Sequence, residues 1–343
     1  MDATLKLLKI IGSPFVLEEY SETFTKEEIS TLYLHAIRNR IPLLYLRALD
    51  KQKQLFDLRS TYRSQYSRYL KIFDTMARVS DFLSSLHIKH AIFKSIKPFP
   101  DASVDIDTVI FDSEKYERAL KIFPKIGWKL LGYGPQSATF LDPEAKVGID
   151  LYREIAVSWV VYLDKEKLGG YVTRKMLPNE KSVFTFQVEA DLLATVAHSV
   201  IKEQMFTLAE YYTLLIWLKG MKTNELEKFK SLIEIHNMVA LAKSFMTMTM
   251  VLHNRAYGYV PEKLAALLDE LGRDGLEEQR LMQNGFQTPH KYHFLTLLKS
   301  MMNKVKEEKT RNGIALQGFK LLNPHFAKDV VSGIMDHLIR ETY

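Results

Sequence analysis

The 343-residue chain predicts an α+β fold, a small mixed β-sheet core flanked by N-terminal and C-terminal helical regions. Three observations predict it. Apolar residues recur at helical spacing through residues 1–86, give way to short alternating runs between 87 and 186, and return to helical spacing from 187 to 343. A chain of this length exceeds what one core usually organises, so these stretches are expected as an N-terminal helical region, a mixed-sheet core and a C-terminal helical domain.

The first helical run, "FTKEEISTLYLHAIRN", has Thr25 and Glu28 spaced as a capping box and Phe24 and Ile29 placed as a hydrophobic staple. Leu32, Ala36 and Ile37 continue its apolar stripe. Pro42 suits the first turn of a second helix through "IPLLYLRALD". A third, "STYRSQYSRYLKIFDTMARVSDFLSSL", carries Tyr62, Tyr66, Tyr69 and Phe73 at helical spacing with Arg63, Arg68 and Lys71 between them. Such a stripe could stack on RNA bases. The spacing favours the plainer expectation that it packs inward as the apolar face of an amphipathic helix.

Strand-like runs follow at "HAIFK", "VDIDTVIF", "WKLLGYG", "SATFL", "KVGIDLY" and "SVFTF". One helix interrupts them. It opens at Asp112 or Ser113, places Tyr116, Ala119, Leu120 and Phe123 on one face, and can end at Gly127. From Val188 helical periodicity persists through "ADLLATVAHSVIKE", "LAEYYTLLIWLKG", "ELEKFKSLIEIH", "PEKLAALLDELG" and "DVVSGIMDHLIRE".

Composition narrows the function classes. The absence of Cys excludes disulfides, thiolate metal sites and a Cys nucleophile. The longest apolar stretches are too short for a membrane span or are interrupted by Lys, and "MDATLKLLKIIG" lacks a basic n-region, so a cytoplasmic protein is expected. The formal charge of +6 permits an anionic partner such as an NTP or RNA. No Walker-type loop, His-Glu-x-x-His or serine nucleophile elbow occurs.

The chemistry concentrates in three carboxylates. In "VDIDTVIF" alternate side chains point to opposite faces, so Asp105 and Asp107 share one face about 6–7 Å apart along the strand. Two carboxylates that close need a positive partner, either a divalent metal or Lys or Arg side chains, or a shared proton. Asp150, between Ile149 and Leu151 in "KVGIDLYRE", can join them if the two runs pair. Three converging carboxylates could hold Mg²⁺ or Mn²⁺, with Asp150 as ligand or base. Upstream, "IFKSIK" places Lys94, Ser95 and Lys97 where they could grip phosphates, or where Lys94 and Lys97 could neutralise the carboxylates directly. His198, with Lys202 one helical turn later, is expected as a hydrogen-bonded packing residue near the cleft.

"VDIDTVIF" followed by a later "GID" resembles the catalytic pattern of the DNA polymerase β-like nucleotidyltransferase superfamily. The chain is most similar to an uncharacterised archaeal and bacterial nucleotidyltransferase-like family with a lysine-containing turn, Pro-rich residues and then Asp-x-Asp. "LHAIRNRIPLLYLRAL" and "LLATVAHSVIKE" also look like that family's flanking helices, so the resemblance covers most of the first 220 residues. It implies Asp105 and Asp107 as metal ligands, Asp150 as the third carboxylate, and transfer of a nucleoside monophosphate from an NTP to a hydroxyl acceptor. Two departures stand out: Lys94-Ser95 replaces the usual Gly followed by Gly or Ser, and "PDAS" stands where relatives often carry an Arg. The altered turn and basic charge suit an alternative, a non-catalytic RNA-binding or ribosome-associated protein on the same fold, able to self-associate as a homo-oligomer.

Overall fold

Helices lead into the sheet in the computed structural model, which describes residues 2–16, 24–102, 105–323 and 328. The first, α1 (Ala3–Ile11), is capped by Asp2, whose carboxylate accepts from the Thr4 amide at 2.8 Å. In α2 (Lys26–Arg38) the Thr25–Glu28 capping box forms, and Phe24 and Ile29 are both buried. Pro42 opens α3 (Pro42–Lys51). In α4 (Arg59–Ser85) buried residues begin only at Ile72. The expected inward packing of its aromatic stripe is therefore complete at Phe73 and partial at Tyr62 and Tyr69, which pack against the edges of the apolar clusters. Tyr66 is exposed, and Tyr62 and Tyr69 are half-buried, because the sheet underlies only the second half of this helix.

The middle of the chain runs β1 (His90–Ile92), β2 (Asp105–Ile110), α5 (Ser113–Ile122), β3 (Lys129–Tyr133), β4 (Ser137–Asp142), β5 (Val147–Tyr152), a separate hairpin of β6 (Ile155–Val157) and β7 (Val160–Leu163), a short α6 (Lys165–Leu168), β8 (Val172–Met176) and β9 (Ser182–Phe186). Asp112 caps α5 by accepting from the Glu114 and Lys115 amides, and Gly127 closes the following turn at φ 94°. Periodicity does not anticipate β6, β7 or β8, since runs this short and flanked by polar turns carry too few residues to show a period of two.

Seven strands form one mixed sheet in the order β3-β4-β5-β2-β1-β9-β8. Within it β2 runs parallel to β5 and β1 parallel to β9, the other neighbours being antiparallel. Ile92, Ile106 and Val147 pack on Ile72, Phe73 and Met76 of α4, while Ile149, Leu151 and Ile110 pack on Tyr116, Ala119 and Phe123. The alternate side chains Phe93, Val109 and Tyr152 face the other way, into the largest apolar cluster.

That cluster is completed by the remaining elements: α7 (Val188–Ala197), a wider helical turn at His198–Lys202, β10 (Met205–Phe206), α8 (Leu208–Gly220), α9 (Thr223–Ile235), α10 (Val239–Tyr257), α11 (Glu262–Leu271), α12 (Gly275–Gln283), β11 (His290–Lys291), α13 (Phe294–Lys304) and α14 (Glu308–Lys320). Leu7, Leu32 and Leu46 from the first stretch share it with Leu193, Trp217 and Phe245 from the last. Polar contacts repeat the link, with Ser13 Oγ 2.8 Å from His253 Nε2. The expected helix "DVVSGIMDHLIRE" lies outside the described residues. Among those that are described, no helix is long and apolar enough to cross a membrane.

Candidate metal centre

Pairing of β2 with β5 sets Asp107 opposite Asp150 and Asp105 opposite Gly148. Neighbouring residues on parallel strands point the same way, so three carboxylates rise from one face and Gly148 adds no side chain among them. One oxygen from each of Asp105, Asp107 and Asp150 lies within 4.8 Å of the others. The in-phase alternation of two separate runs thus converges, as the spacing led one to expect.

Each carboxylate is held differently. Asp107 is 2% exposed, and its Oδ2 receives the Lys94 ammonium at 2.5 Å and lies 3.2 Å from the Ser95 hydroxyl. Ser95 Oγ also accepts from the Asp107 amide at 2.9 Å, so this serine clasps the aspartate at both ends. Asp107 Oδ1 is buried and has no hydrogen-bond partner. The Tyr152 hydroxyl, which accepts from Lys202 Nζ at 2.9 Å and keeps its own proton to donate, stands beside the Asp107 carboxylate outside hydrogen-bond geometry. A buried carboxylate oxygen left unpaired is costly, and a cation or donor placed there would satisfy it. Burial works against the charge of Asp107, but the Lys94 and Lys202 ammonium groups outweigh it and hold this carboxyl below the usual range.

Asp150 accepts from Thr139 Oγ1 at 2.6 Å across the antiparallel β4–β5 pair. Burial, then the charge of Asp107, push its pKa up to about 6. Because that lies above the ordinary 3.8, folding favours the protonated form. This contribution is complete below pH 3.8 and is lost as pH rises through 6. Asp150→Asn, which mimics the neutral acid, should therefore gain stability over the native chain between pH 4 and pH 7, on the order of 2 kcal/mol. Urea unfolding in chelator reads this directly. An equal difference at both pH values would mean that Asp150 ionises in the fold without cost.

The turn between β1 and β2 supplies the positive groups. Lys94 adopts φ 49°, the left-handed region that favours glycine. Its amide donates to Asp191 Oδ1 at 2.5 Å, and this contact from α7 pins the turn. Asp191 is itself buried, which raises its pKa to about 6. Lys97 lines the cleft beside Arg40, Asp101 and His198. The wide turn at His198–Lys202 brings His198 Nε2 within 3.0 Å of Glu203 and Nδ1 within 3.4 Å of the Tyr162 hydroxyl. Burial, followed by the Lys94 and Lys202 charges, holds His198 well below its ordinary pKa. A neutral ring carrying its proton on Nε2 fits both contacts, donating to Glu203 and accepting from the Tyr162 hydroxyl.

All six expected residues, Asp105, Asp107, Asp150, Lys94, Ser95 and Lys97, therefore fall in one place. Ser95 is turned to Asp107, whereas Lys97 faces the cleft. Thr139, Asp191, Glu203 and Arg40 escaped sequence reasoning. Only Asp191 left a trace, as an acid within the apolar run "ADLLATVAHSV". The cleft encloses ≈ 40 Å³, room for an ion and little more, against roughly 300–1,000 Å³ for an organic ligand. A larger cavity of ≈ 740 Å³ lies between the C-terminal end of α2 and the α12–β11 segment, walled by Arg38, Arg280 and Lys291. It holds no convergent carboxylates, so the smaller cleft is the better candidate for chemistry. No protein-family model matches the chain, and no curated protein matches its sequence.

Proposed function

We propose that the chain is a metal-dependent nucleotidyltransferase of the DNA polymerase β-like kind, moving a nucleoside monophosphate from an NTP to a hydroxyl and releasing pyrophosphate. The observation that carries this reading is the buried Asp107 carboxylate, which has an unpartnered Oδ1 and contributes an oxygen to a group with Asp105 and Asp150 oxygens all within 4.8 Å of one another. Three carboxylates with oxygen-only donors suit Mg²⁺ or Mn²⁺. When bound, the metal supplies charge neutralisation at the phosphates and a more acidic acceptor hydroxyl.

The protein's own groups divide the rest of the work. Asp105 and Asp107 hold the ion. Asp150, poised near pH 6, takes the acceptor proton. Lys94, Lys97 and Arg40 face the triphosphate, and Ser95 keeps Asp107 in its rotamer. Because the cleft is narrow, nucleotide entry requires the Lys94 side chain to swing off Asp107 onto phosphate. The test is pyrophosphate release from each NTP with Mg²⁺ or Mn²⁺ in the presence of cellular RNA and protein.

A second reading, binding of RNA or ribosomes without catalysis, draws on the Lys94–Asp107 pair itself, which already balances one carboxylate. Lys94→Ala separates the two. Removing one partner of a buried pair costs roughly 3–5 kcal/mol. If the site is built for metal, millimolar Mn²⁺ should recover most of the lost melting temperature, and Lys94→Ala combined with Asp107→Asn should show no such recovery. Were Mn²⁺ to leave Lys94→Ala unchanged, the lysine-neutralised cluster would be the native state of the site and the transferase reading would fall.

A further inference from the structure

We infer that the outer half of α4 is a stacking platform for a single-stranded nucleic acid, with Tyr62, Tyr66 and Tyr69 taking the bases and flanking arginines taking the phosphates.

Between Arg59 and Lys71 no residue of α4 is buried. An amphipathic helix normally pairs its apolar stripe with a core, and here the stripe is left half in solvent. It is nevertheless ordered as a ladder. Ring centroids of Tyr62 and Tyr66 lie 6.2 Å apart, Tyr66 and Tyr69 5.9 Å, and Tyr69 and Phe73 4.7 Å. Phe73 anchors the inner end in the core, and Tyr66 is 44% exposed.

Charge identifies the occupant. From Arg59 to Phe73 the sequence has four cations, Arg59, Arg63, Arg68 and Lys71, and no acid. All four are exposed, and none forms an ion pair among the described residues. Arg47 of α3 adds a fifth, its charge felt by both Tyr62 and Tyr69, against Asp50 beside Tyr62 and Asp101 beside Tyr69. A protein partner would need neither such an excess of positive charge nor rings spaced along one helix face. A single strand needs both, since every base has a face to stack and every nucleotide brings one phosphate.

The ladder also leads somewhere. Tyr69 packs in the same cluster as Ala102 and senses the charge of Asp101, which lines the carboxylate cleft. A strand lying on the ladder would bring its end to the rim of that cleft. This direction, though not the binding itself, rests on the nucleotidyl-transfer reading and makes the hydroxyl acceptor a nucleic-acid end.

The test is equilibrium binding of fluorescently labelled 12-mer oligouridylate and oligothymidylate to the full chain, without NTP or divalent ion. Both should bind, because stacking and phosphate contacts do not require a 2′-hydroxyl, and a matched RNA duplex should bind more weakly. Tyr66→Ala and Tyr62→Ala should each weaken binding about tenfold, while Tyr66→Phe, which keeps the ring, should restore it. Melting temperatures should stay near that of the native chain, since neither ring is buried. Arg63→Gln with Arg68→Gln should lower the slope of log affinity against log salt by about 1.4. Asp105→Asn with Asp107→Asn should bind as tightly as the native chain, so loss of the catalytic reading would leave this result standing. No binding at low salt, equal affinity for duplex, unchanged affinity in Tyr66→Ala, or Tyr66-dependent binding to phosphatidylserine vesicles in place of oligonucleotide would each overturn the assignment.

Discussion

Asp107→Asn is expected to reduce metal-dependent nucleotidyl transfer by about 10³-fold or more. The substitution keeps the shape of the side chain and the hydrogen bond from its backbone amide to Ser95, but of the three site carboxylates it removes the one that is both buried and left with an unpaired oxygen. An amide cannot neutralise a divalent ion, and two remaining carboxylates bind it far more weakly. The charge of Asp107 also helps to raise the pKa of Asp150, so its loss should shift the acid limb of the rate profile to lower pH as well. Lys94 would lose its closest partner while retaining attraction from Asp105, which limits the structural damage. Pyrophosphate release and circular dichroism, measured on the same preparations, separate the chemical loss from unfolding. Transfer by Asp107→Asn at the native rate would place the reaction elsewhere, and an absence of transfer by the native chain with every NTP would leave the carboxylates as a structural cluster.

Gly313→Ala is expected to undock α14 from the β6–β7 hairpin. A Cβ at this position would sit 2.2 Å from the Trp159 carbonyl oxygen and 3.1 Å from the Val160 Cα, both backbone atoms that cannot rotate aside. Alanine ordinarily improves a helix by about 1 kcal/mol over glycine, so intrinsic propensity predicts the opposite sign. Overpacking against fixed backbone costs about 1–3 kcal/mol or more, and here it wins. The Thr310 hydroxyl bond to the Val161 carbonyl at 2.6 Å and the Lys309–Asp164 pair at 2.6 Å would go with it. Gly318 on the same helix has nothing within 4 Å of such a Cβ and serves as the control, expected to be neutral or stabilising. Hydrogen exchange at Val160–Leu163 reads the difference. Equal protection in both variants would mean that α14 does not depend on this close approach. Because Tyr162 of that hairpin reaches His198, the same undocking should loosen one wall of the cleft.

Local patterns made part of this legible. The capping box at Thr25, the Pro42 start, the Asp112 cap and the alternation in "VDIDTVIF" are decided by residues within a few positions of one another. So was the shared face of Asp105 and Asp107, because two-residue spacing on a strand leaves no other arrangement. Asp150 could be singled out as an acid inside an apolar run. The inward packing expected for Tyr62, Tyr66 and Tyr69 went too far for a related reason. Helical spacing shows which residues share a face, and it carries no information on whether a second layer lies over that face.

The sequence by itself therefore determined which side chains each element presents and the residue types able to hold a cation. Tertiary structure decided what those side chains meet. The register that sets Asp107 against Asp150 comes from strands separated by a helix and two further strands, with Gly148 leaving the space beside them. Lys94 lands on Asp107 only because Asp191, nearly a hundred residues later, fixes the turn at a left-handed φ. His198 and Arg40 reach the cleft from the α7 end and from the turn before α3, and Glu203 holds His198 from behind. Such contacts pair groups that are distant along the chain, and their geometry is fixed by the sum of many packing energies, so no local window of residues can contain it.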